Sequence, residues 1–375
     1  MSANLSTVPL PQRSSLSAYL WAWRDRLLAS PNFQNWAARF PLTRHIARRE
    51  ARALFDICAG FVYAQTLSAC TALNIFDLLA KGALPIEALA LHCDIPPQNL
   101  EILLHAAVSL RLLQRHGNGY RLGPLGAALR GNPGIAAMVA HHRLFYADLA
   151  DPVALLRGQA ETALQKFWPY QGNAGQAADY SALMAASQPM VAGEILRAYN
   201  FTKHKIVMDV AGGDGSFLRL LAPQAPRLHL RLFELPEVAA QARRAFARAG
   251  LSQRSDVFEG DFTTAALPAG ADLITLIRVL HDHPDARARI LLAAAYNALP
   301  RGGVLLLAEP MGGTKGAEPM AAAYFGFYLL AMGSGRARHP QQIMKLLAET
   351  GFSRVRMLPT AQPLLASIII AQREL

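Results

Sequence analysis

The sequence predicts an α/β protein in which a doubly wound, mostly parallel sheet follows a mainly helical domain of winged-helix layout. Three observations lead there. Beyond residue 205, short apolar runs alternate with helical stretches, the texture of a parallel sheet with helices on both faces. Residues 86–125 read helix, turn, helix, hairpin. A length of 375 residues exceeds one ordinary domain, so two cores are expected.

Taken in order, residues 1–15 are rich in Pro and Ser and are expected to be a flexible N-terminus. Residues 16–130 form the expected helical, winged-helix domain. Apolar residues recur at helical spacing over residues 17–80, and Pro41 supplies the clearest interruption. IEALALHC is a short helix, DIPPQ a turn with Pro96 and Pro97 at the start of the next helix, and NLEILLHAAVSLRLL that second helix. LQRHGNGYRL is a hairpin turning at Gly117–Gly119. Residues 131–200 are a helical linker expected to contribute to a substrate pocket, with QGNAGQ as a loop inside it. Residues 201–375 supply the sheet, in the runs KIVMDV, LHLRLFEL, DVFEG, ADLITLIRVL, GGVLLLAEP, VRMLPT and LLASIIIAQ. The last two are expected to close as an antiparallel hairpin at one edge.

Composition narrows the function classes. The chain is 52% hydrophobic and 17% charged, yet no stretch reaches the roughly 18 uninterrupted apolar residues of a spanning helix, so an integral membrane protein is not expected. Cys58, Cys70 and Cys93 lack ligand spacing, which suggests neither a disulfide framework nor a metal site. The first residues lack a secretory layout, which leaves the cytoplasm as the expected compartment.

A net charge of +11 raises nucleic acid as a partner, but the second helix of the winged module offers only Glu101 and His105 among apolar residues. Such a helix belongs in a core or a subunit interface, and no nucleic-acid partner is expected. Seven arginines between Arg24 and Arg52 crowd around Trp21, Trp23 and Trp36. That mixture suits a dimerisation arm, an interfacial membrane contact, or both.

The first sheet strand runs into DVAGGDGSF, residues 209–217, and then a helix. Open parallel sheets bind ligands at the carboxyl ends of their strands, where glycines let backbone N–H groups approach closely. Glu234 ends the second strand, placed to accept the hydroxyls of a ribose, and Asp261 with Phe262 ends the third, on the side where an adenine would lie. The loop departs from G-x-G-x-x-G, and Asp214 would repel a pyrophosphate. An acid there suits a ligand with a cationic amino-acid end, which favours S-adenosylmethionine over a dinucleotide.

DVAGGDG, FELP, GDF and the later HDH and AEP runs resemble the O-methyltransferases that include plant phenolic and bacterial carotenoid enzymes, in which a winged-helix dimerisation domain precedes a Rossmann-like catalytic domain. The resemblance covers about residue 51 to the C-terminus. It implies a homodimer using S-adenosylmethionine and no metal, with the glycine-loop contact on Gly212, the ribose acid at Glu234 and the adenine-side pair at Asp261 and Phe262. It also implies that His281 is the general base for the acceptor hydroxyl, with Glu309 orienting its ring. His283 stands where the family often has Trp, and its role is open. The family's second glutamate falls on Ala337, which implies one carboxylate about the base; Arg338 and His339 read as helix-start residues.

The acceptor side is PMAAAYFGFYLLAMG, where Tyr324, Phe325, Phe327, Tyr328, Leu330 and Met332 suit a long hydrocarbon if they line a pocket, and a buried core helix if they do not. HHRLFYADLADPVALLRG, YSALMAASQPMVAGEILRAY and the run from AEPMGG to GSGRAR are similar to the O-methyltransferases of purple photosynthetic bacteria that act on hydroxyneurosporene or demethylspheroidene. That similarity implies the tertiary 1-hydroxyl of an acyclic carotenoid as acceptor and fits peripheral contact with the photosynthetic membrane. A tetrapyrrole or a phenolic hydroxyl is the alternative acceptor.

Overall fold

The computed structural model describes residues 16–167 and 174–374. The expectation for residues 1–15 therefore lies outside the described residues, as does the first half of QGNAGQ; its second half opens the helix Ala174–Ala198 and is not a loop.

Three helices open the described residues, at Leu16–Leu28, Pro31–Arg39 and Arg44–Ala72. Ser30 caps the second by accepting from the Phe33 N–H, with Pro31 at the first helical position, where its missing N–H costs nothing. The first helix buries none of its residues. Asp56 breaks the apolar run of the third, yet an 18-residue window there averages a hydropathy of 1.3. By length and composition alone that helix is long and apolar enough to cross a bilayer. Its C-terminal end is committed elsewhere, since Thr66 and Cys70 are buried in the helical domain.

That domain closes around Cys70, Ile75, Phe76, Leu89, Leu100, Leu104 and Leu113. The helices Ile86–Cys93 and Pro97–Ser109 form its helix-turn-helix. The second stops four residues before the expected end because Arg111 adopts a left-handed conformation (φ 61°), which turns the chain into the hairpin. A short strand not foreseen, β1 (Leu84–Pro85), pairs with the second arm of that hairpin. The hairpin is β2 (Leu113–His116) and β3 (Gly119–Leu122), so the wing is a three-stranded sheet of order β1-β3-β2.

The C-terminal domain is a seven-stranded sheet. Its strands are β4 (Ile206–Val210), β5 (His229–Glu234), β6 (Ser255–Glu259), β7 (Leu273–Ile277), β8 (Val304–Glu309), β9 (Phe352–Leu358) and β10 (Ser367–Arg373). Their order is β6-β5-β4-β7-β8-β10-β9, parallel throughout except for β10, which runs antiparallel to both neighbours and leaves β9 at the edge as expected. The inner strands β7 and β8 are buried end to end, which explains their unbroken apolar sequences. Helices pack on both faces. Val191, Ile195, Phe217 and Phe246 cover one, and Leu291, Leu292, Ile343 and Leu347 the other. Strand order reverses at β4, and the crevice beyond such a switch point is where open α/β sheets hold ligands.

Candidate active site

The loop after β4 passes through three left-handed residues, Ala211 (φ 54°), Gly213 (φ 62°) and Gly215 (φ 74°). Gly212 needs its missing side chain for another reason. A Cβ there would lie 2.2 Å from Asp209 Oδ2 and 2.8 Å from a Leu232 methyl. Asp209 itself is buried; its Oδ1 accepts from Thr275 Oγ (2.6 Å), while Oδ2 has no hydrogen-bond partner. Burial pushes its carboxyl up to about 7.

Glu234, the last residue of β5, is tied to the same loop. Gly213 N–H donates to its Oε2 and Leu235 N–H to its Oε1, both at 2.8 Å. Burial pushes this carboxyl to about 7 as well, and each oxygen keeps a lone pair for a further donor. Asp261 is held in a local turn by Thr263, whose N–H and hydroxyl both donate to Oδ1 at 2.8 Å. Phe262 is buried with its ring edge-on to His283 at 5.2 Å. Glu234, Asp261 and Phe262 thus share one cleft with Ala211, His283 and Arg287. Asp214 is not the free acid the sequence suggested, because Ser216 N–H and Arg219 Nη2 (2.9 Å) consume its carboxylate. The acid with an unspent oxygen beside the loop is Asp209.

His281 lies on a one-turn 3-10 helix, Leu280–Asp282, and not at the strand end itself; β7 stops at Ile277, and Arg278 turns the chain with φ 56°. The Arg278 guanidinium donates to Ser187 Oγ (2.7 Å), Gln188 Oε1 (2.5 Å) and the Met184 carbonyl (3.0 Å), fixing that turn to the helix Ala174–Ala198. The His281 ring is buried, with Nε2 3.2 Å from Asp282 Oδ1 and Nδ1 without a partner. Burial alone would lower its pKa, but Asp282 first and Glu309 after it outweigh that, and the net shift is upward.

Glu309 has a different place from the one foreseen. Its Oε2 accepts from the backbone N–H of His281 at 3.0 Å, so it locks the main chain while Asp282 faces the ring. Burial pushes the Glu309 carboxyl upward. Two carboxylates therefore serve the histidine, contrary to the single one inferred from Ala337, which packs among apolar residues. His339 does begin the helix Pro340–Glu349 and exchanges capping hydrogen bonds with Gln342. Arg338 does not act as a helix start; it is buried and bonded to carbonyls of the His281 turn.

Beside His281 stands the aromatic segment. Met320–Tyr324 forms a π-turn that continues as the helix Phe325–Ala331, and the Phe325 ring centre is 5.8 Å from that of His281. Tyr328, Leu329 and Met332 pack with Phe145, Leu155 and Leu164, whereas Leu330 faces outward, 39% exposed, and lines nothing. The wall is not wholly apolar. His141 Nε2 meets the Tyr328 hydroxyl and His142 Nε2 the Tyr324 hydroxyl, each at 2.8 Å. Burial lowers both imidazoles, His141 to about 4, so both are neutral at pH 7. The adjacent histidines in an otherwise apolar helical run were the sequence signal for this feature.

The residues present fit S-adenosylmethionine. Acids at Asp209 and Glu234 oppose a pyrophosphate, and a buried carboxylate oxygen of Asp209 lacks a donor. Such a pocket at a switch point, lined by His283 two residues along the chain from the buried His281, defines a methyltransferase dependent on that cofactor.

Comparison with known proteins narrows the class. Residues 146–353 match the O-methyltransferase domain family and residues 55–131 the O-methyltransferase dimerisation domain family. The chain belongs to the O-methyltransferase family. It is 42% identical to the demethylspheroidene O-methyltransferase of Cereibacter sphaeroides, over 93% of this chain and 94% of that one. Identity to the Rhodobacter capsulatus protein of the same name is also 42%, over 93% and 88%. Among solved structures, human N-acetylserotonin methyltransferase in complex with SAM superposes with a TM-score of 0.74 at 26% identity, covering 87% of this chain and 98% of that one.

Proposed function

We propose that the protein transfers the methyl group of S-adenosylmethionine to the tertiary 1-hydroxyl of an acyclic hydroxylated carotenoid of the demethylspheroidene or hydroxyneurosporene type, with His281 as general base. The observation that carries the chemistry is the buried His281 ring, whose Nε2 faces Asp282 and whose Nδ1 is unspent. The acceptor class rests on the 42% identity to two demethylspheroidene enzymes and on the long aromatic wall beside that ring.

When bound, S-adenosylmethionine would supply an electrophilic methyl group, its methyl–sulfur bond breaking with the electron pair left on sulfur as neutral S-adenosylhomocysteine. The protein does the rest. Glu234 accepts the ribose hydroxyls on lone pairs left over from Gly213 and Leu235, Gly212 lets the backbone approach, and Asp261 with Phe262 flanks the adenine side. Asp282 holds the proton on Nε2 of the neutral ring, which leaves the Nδ1 lone pair to take the proton from the acceptor oxygen. A tertiary alcohol is weakly acidic, so that proton leaves as the new C–O bond forms. Asp282 then stabilises the imidazolium, and a base so placed contributes about 10²–10⁴-fold.

A second copy covers the apolar side of the dimerisation domain, giving a homodimer. The N-terminal helices touch the cytoplasmic face of the photosynthetic membrane, where this acceptor dissolves. Trp21, Trp23 and Trp36 are each more than half exposed among arginines, and Arg24 lies 4.2 Å over the Trp21 ring. Sedimentation with anionic vesicles checks this. Wild-type protein should pellet, a triple Trp→Ala variant should not, and equal partition ends the idea.

One observation favours another acceptor. The Tyr324–His142 and Tyr328–His141 pairs put polar groups in the wall, as a phenolic or tetrapyrrole hydroxyl would use. Incubation with labelled cofactor and a panel of hydroxycarotenoids, chlorophyll precursors and phenols decides. The reading predicts label in a methoxy-carotenoid; label confined to a phenol or a tetrapyrrole overturns it.

A further inference from the structure

We propose that residues 334–338 are a strap that positions the catalytic histidine, and that Arg338 is its principal positioning residue. The strap takes four successive carbonyls of the His281 turn. Arg338 Nη1 donates to Leu280 O at 2.9 Å, the Arg336 N–H to His281 O at 2.7 Å, the Ser334 hydroxyl to Asp282 O at 2.8 Å, and Arg338 Nη2 to His283 O at 2.8 Å. A run of carbonyls all bonded to one foreign segment leaves the turn no freedom to shift as a unit.

Arg338 is 1% exposed, an expensive place for a guanidinium. Asp285 offsets the cost by accepting from Nε at 3.0 Å and Nη2 at 2.7 Å. With two carbonyls and one carboxylate, the planar fork reaches three groups that an ammonium cannot reach together. Gly335 is the second requirement. At φ 92° it brings the strap so close that a Cβ would lie 2.3 Å from the His281 carbonyl oxygen and 2.9 Å from the Asp282 carbonyl carbon. Glu309 holds the same turn from its N–H side, so the main chain of His281 is clamped at both its N–H and its C=O.

The strap also follows the aromatic helix Phe325–Ala331, with only Met332 and Gly333 between them. Base and acceptor wall are therefore joined by one short stretch of backbone. An ångström of misplacement at a reacting group costs about 10²-fold in rate, which sets the scale for loosening this clamp.

The inference rests on His281 being the base, and the experiment separates the two. Turnover with the preferred acceptor and the affinity for S-adenosylhomocysteine by calorimetry are measured for S334A, R338K, R338Q, G335A and H281A. The expected result is a graded loss of turnover, about threefold for S334A, about tenfold for R338K and about 100-fold for R338Q and G335A, with cofactor affinity within about twofold of wild type. A merely structural role would instead lower turnover and cofactor affinity together, and that result overturns the proposal. So does unchanged turnover in the folded variants; S334A loses a single hydroxyl and keeps the test open should the others fail to fold. If H281A itself turns over normally, the base assignment is what fails.

Discussion

The two ends of the active site are built differently. The proposed cofactor end takes residues at successive strand ends, Asp209 in β4 and Gly212 after it, Glu234 closing β5, Asp261 and Phe262 after β6, and its hydrogen bonds close within the sheet's own order. The acceptor end is assembled from afar. His141 reaches Tyr328 across 187 residues of chain, Arg278 reaches back to Ser187, and residues 334–338 wrap a turn more than 50 residues earlier. A binding end set by sheet topology can stay constant while a distant-contact end is altered, which is the arrangement expected of a fold that keeps one cofactor and changes acceptors.

That contrast can be broken by substitutions whose effects should stay on their own side. Glu234→Ala has the largest expected effect at the cofactor end. Losing a charged acceptor worth about 1.5–3 kcal/mol should weaken S-adenosylmethionine about 10- to 100-fold, with the acceptor KM unmoved. Unchanged affinity in calorimetry contradicts the ribose role.

Asp282→Asn should lower turnover about tenfold and move the acid limb of the pH–rate profile to lower pH. The sign follows from the charge. Asp282 is the larger of the two influences that raise the His281 pKa, and the protonated ring is inactive, so removing it lets the ring stay neutral to lower pH while the imidazolium formed in the reaction loses its stabiliser. A limb that stays put or moves upward argues against this pairing.

Tyr328→Phe should have the smallest effect, because it removes one neutral hydrogen bond of about 1 kcal/mol. Acceptor kcat/KM should fall a few-fold with the cofactor Kd unchanged. A larger loss in cofactor affinity would erase the division between the two ends.

The same division explains what was legible in the sequence. Strand ends are marked locally, by an apolar run meeting glycine or an acid, so Glu234, Asp261 and Phe262 could be read from the sequence as neighbours, and they line one cleft. The helix-turn-helix and wing were readable from Pro96, Pro97 and Gly117. Partners set by tertiary packing were not. Nothing in the spacing of LIRVLHDHPD says that Asp282 faces the ring while Glu309 takes the backbone N–H. Nor did GSGRARHP betray that its second arginine is buried in the preceding turn. Asp214 misled because an acid in a glycine loop looks available until Arg219, five residues on, is seen to claim it. Leu330 misled because a helix only seven residues long has an outer face too.

The central claim is that one imidazole takes the acceptor's proton beside a separately built cofactor pocket. Single-turnover methyl transfer by the His281→Ala protein, preloaded with S-adenosylmethionine, measures it most directly. The account predicts that the cofactor binds as tightly as to wild type while transfer slows by about two orders of magnitude or more. Transfer at the wild-type rate, or loss of cofactor binding in its place, would contradict it.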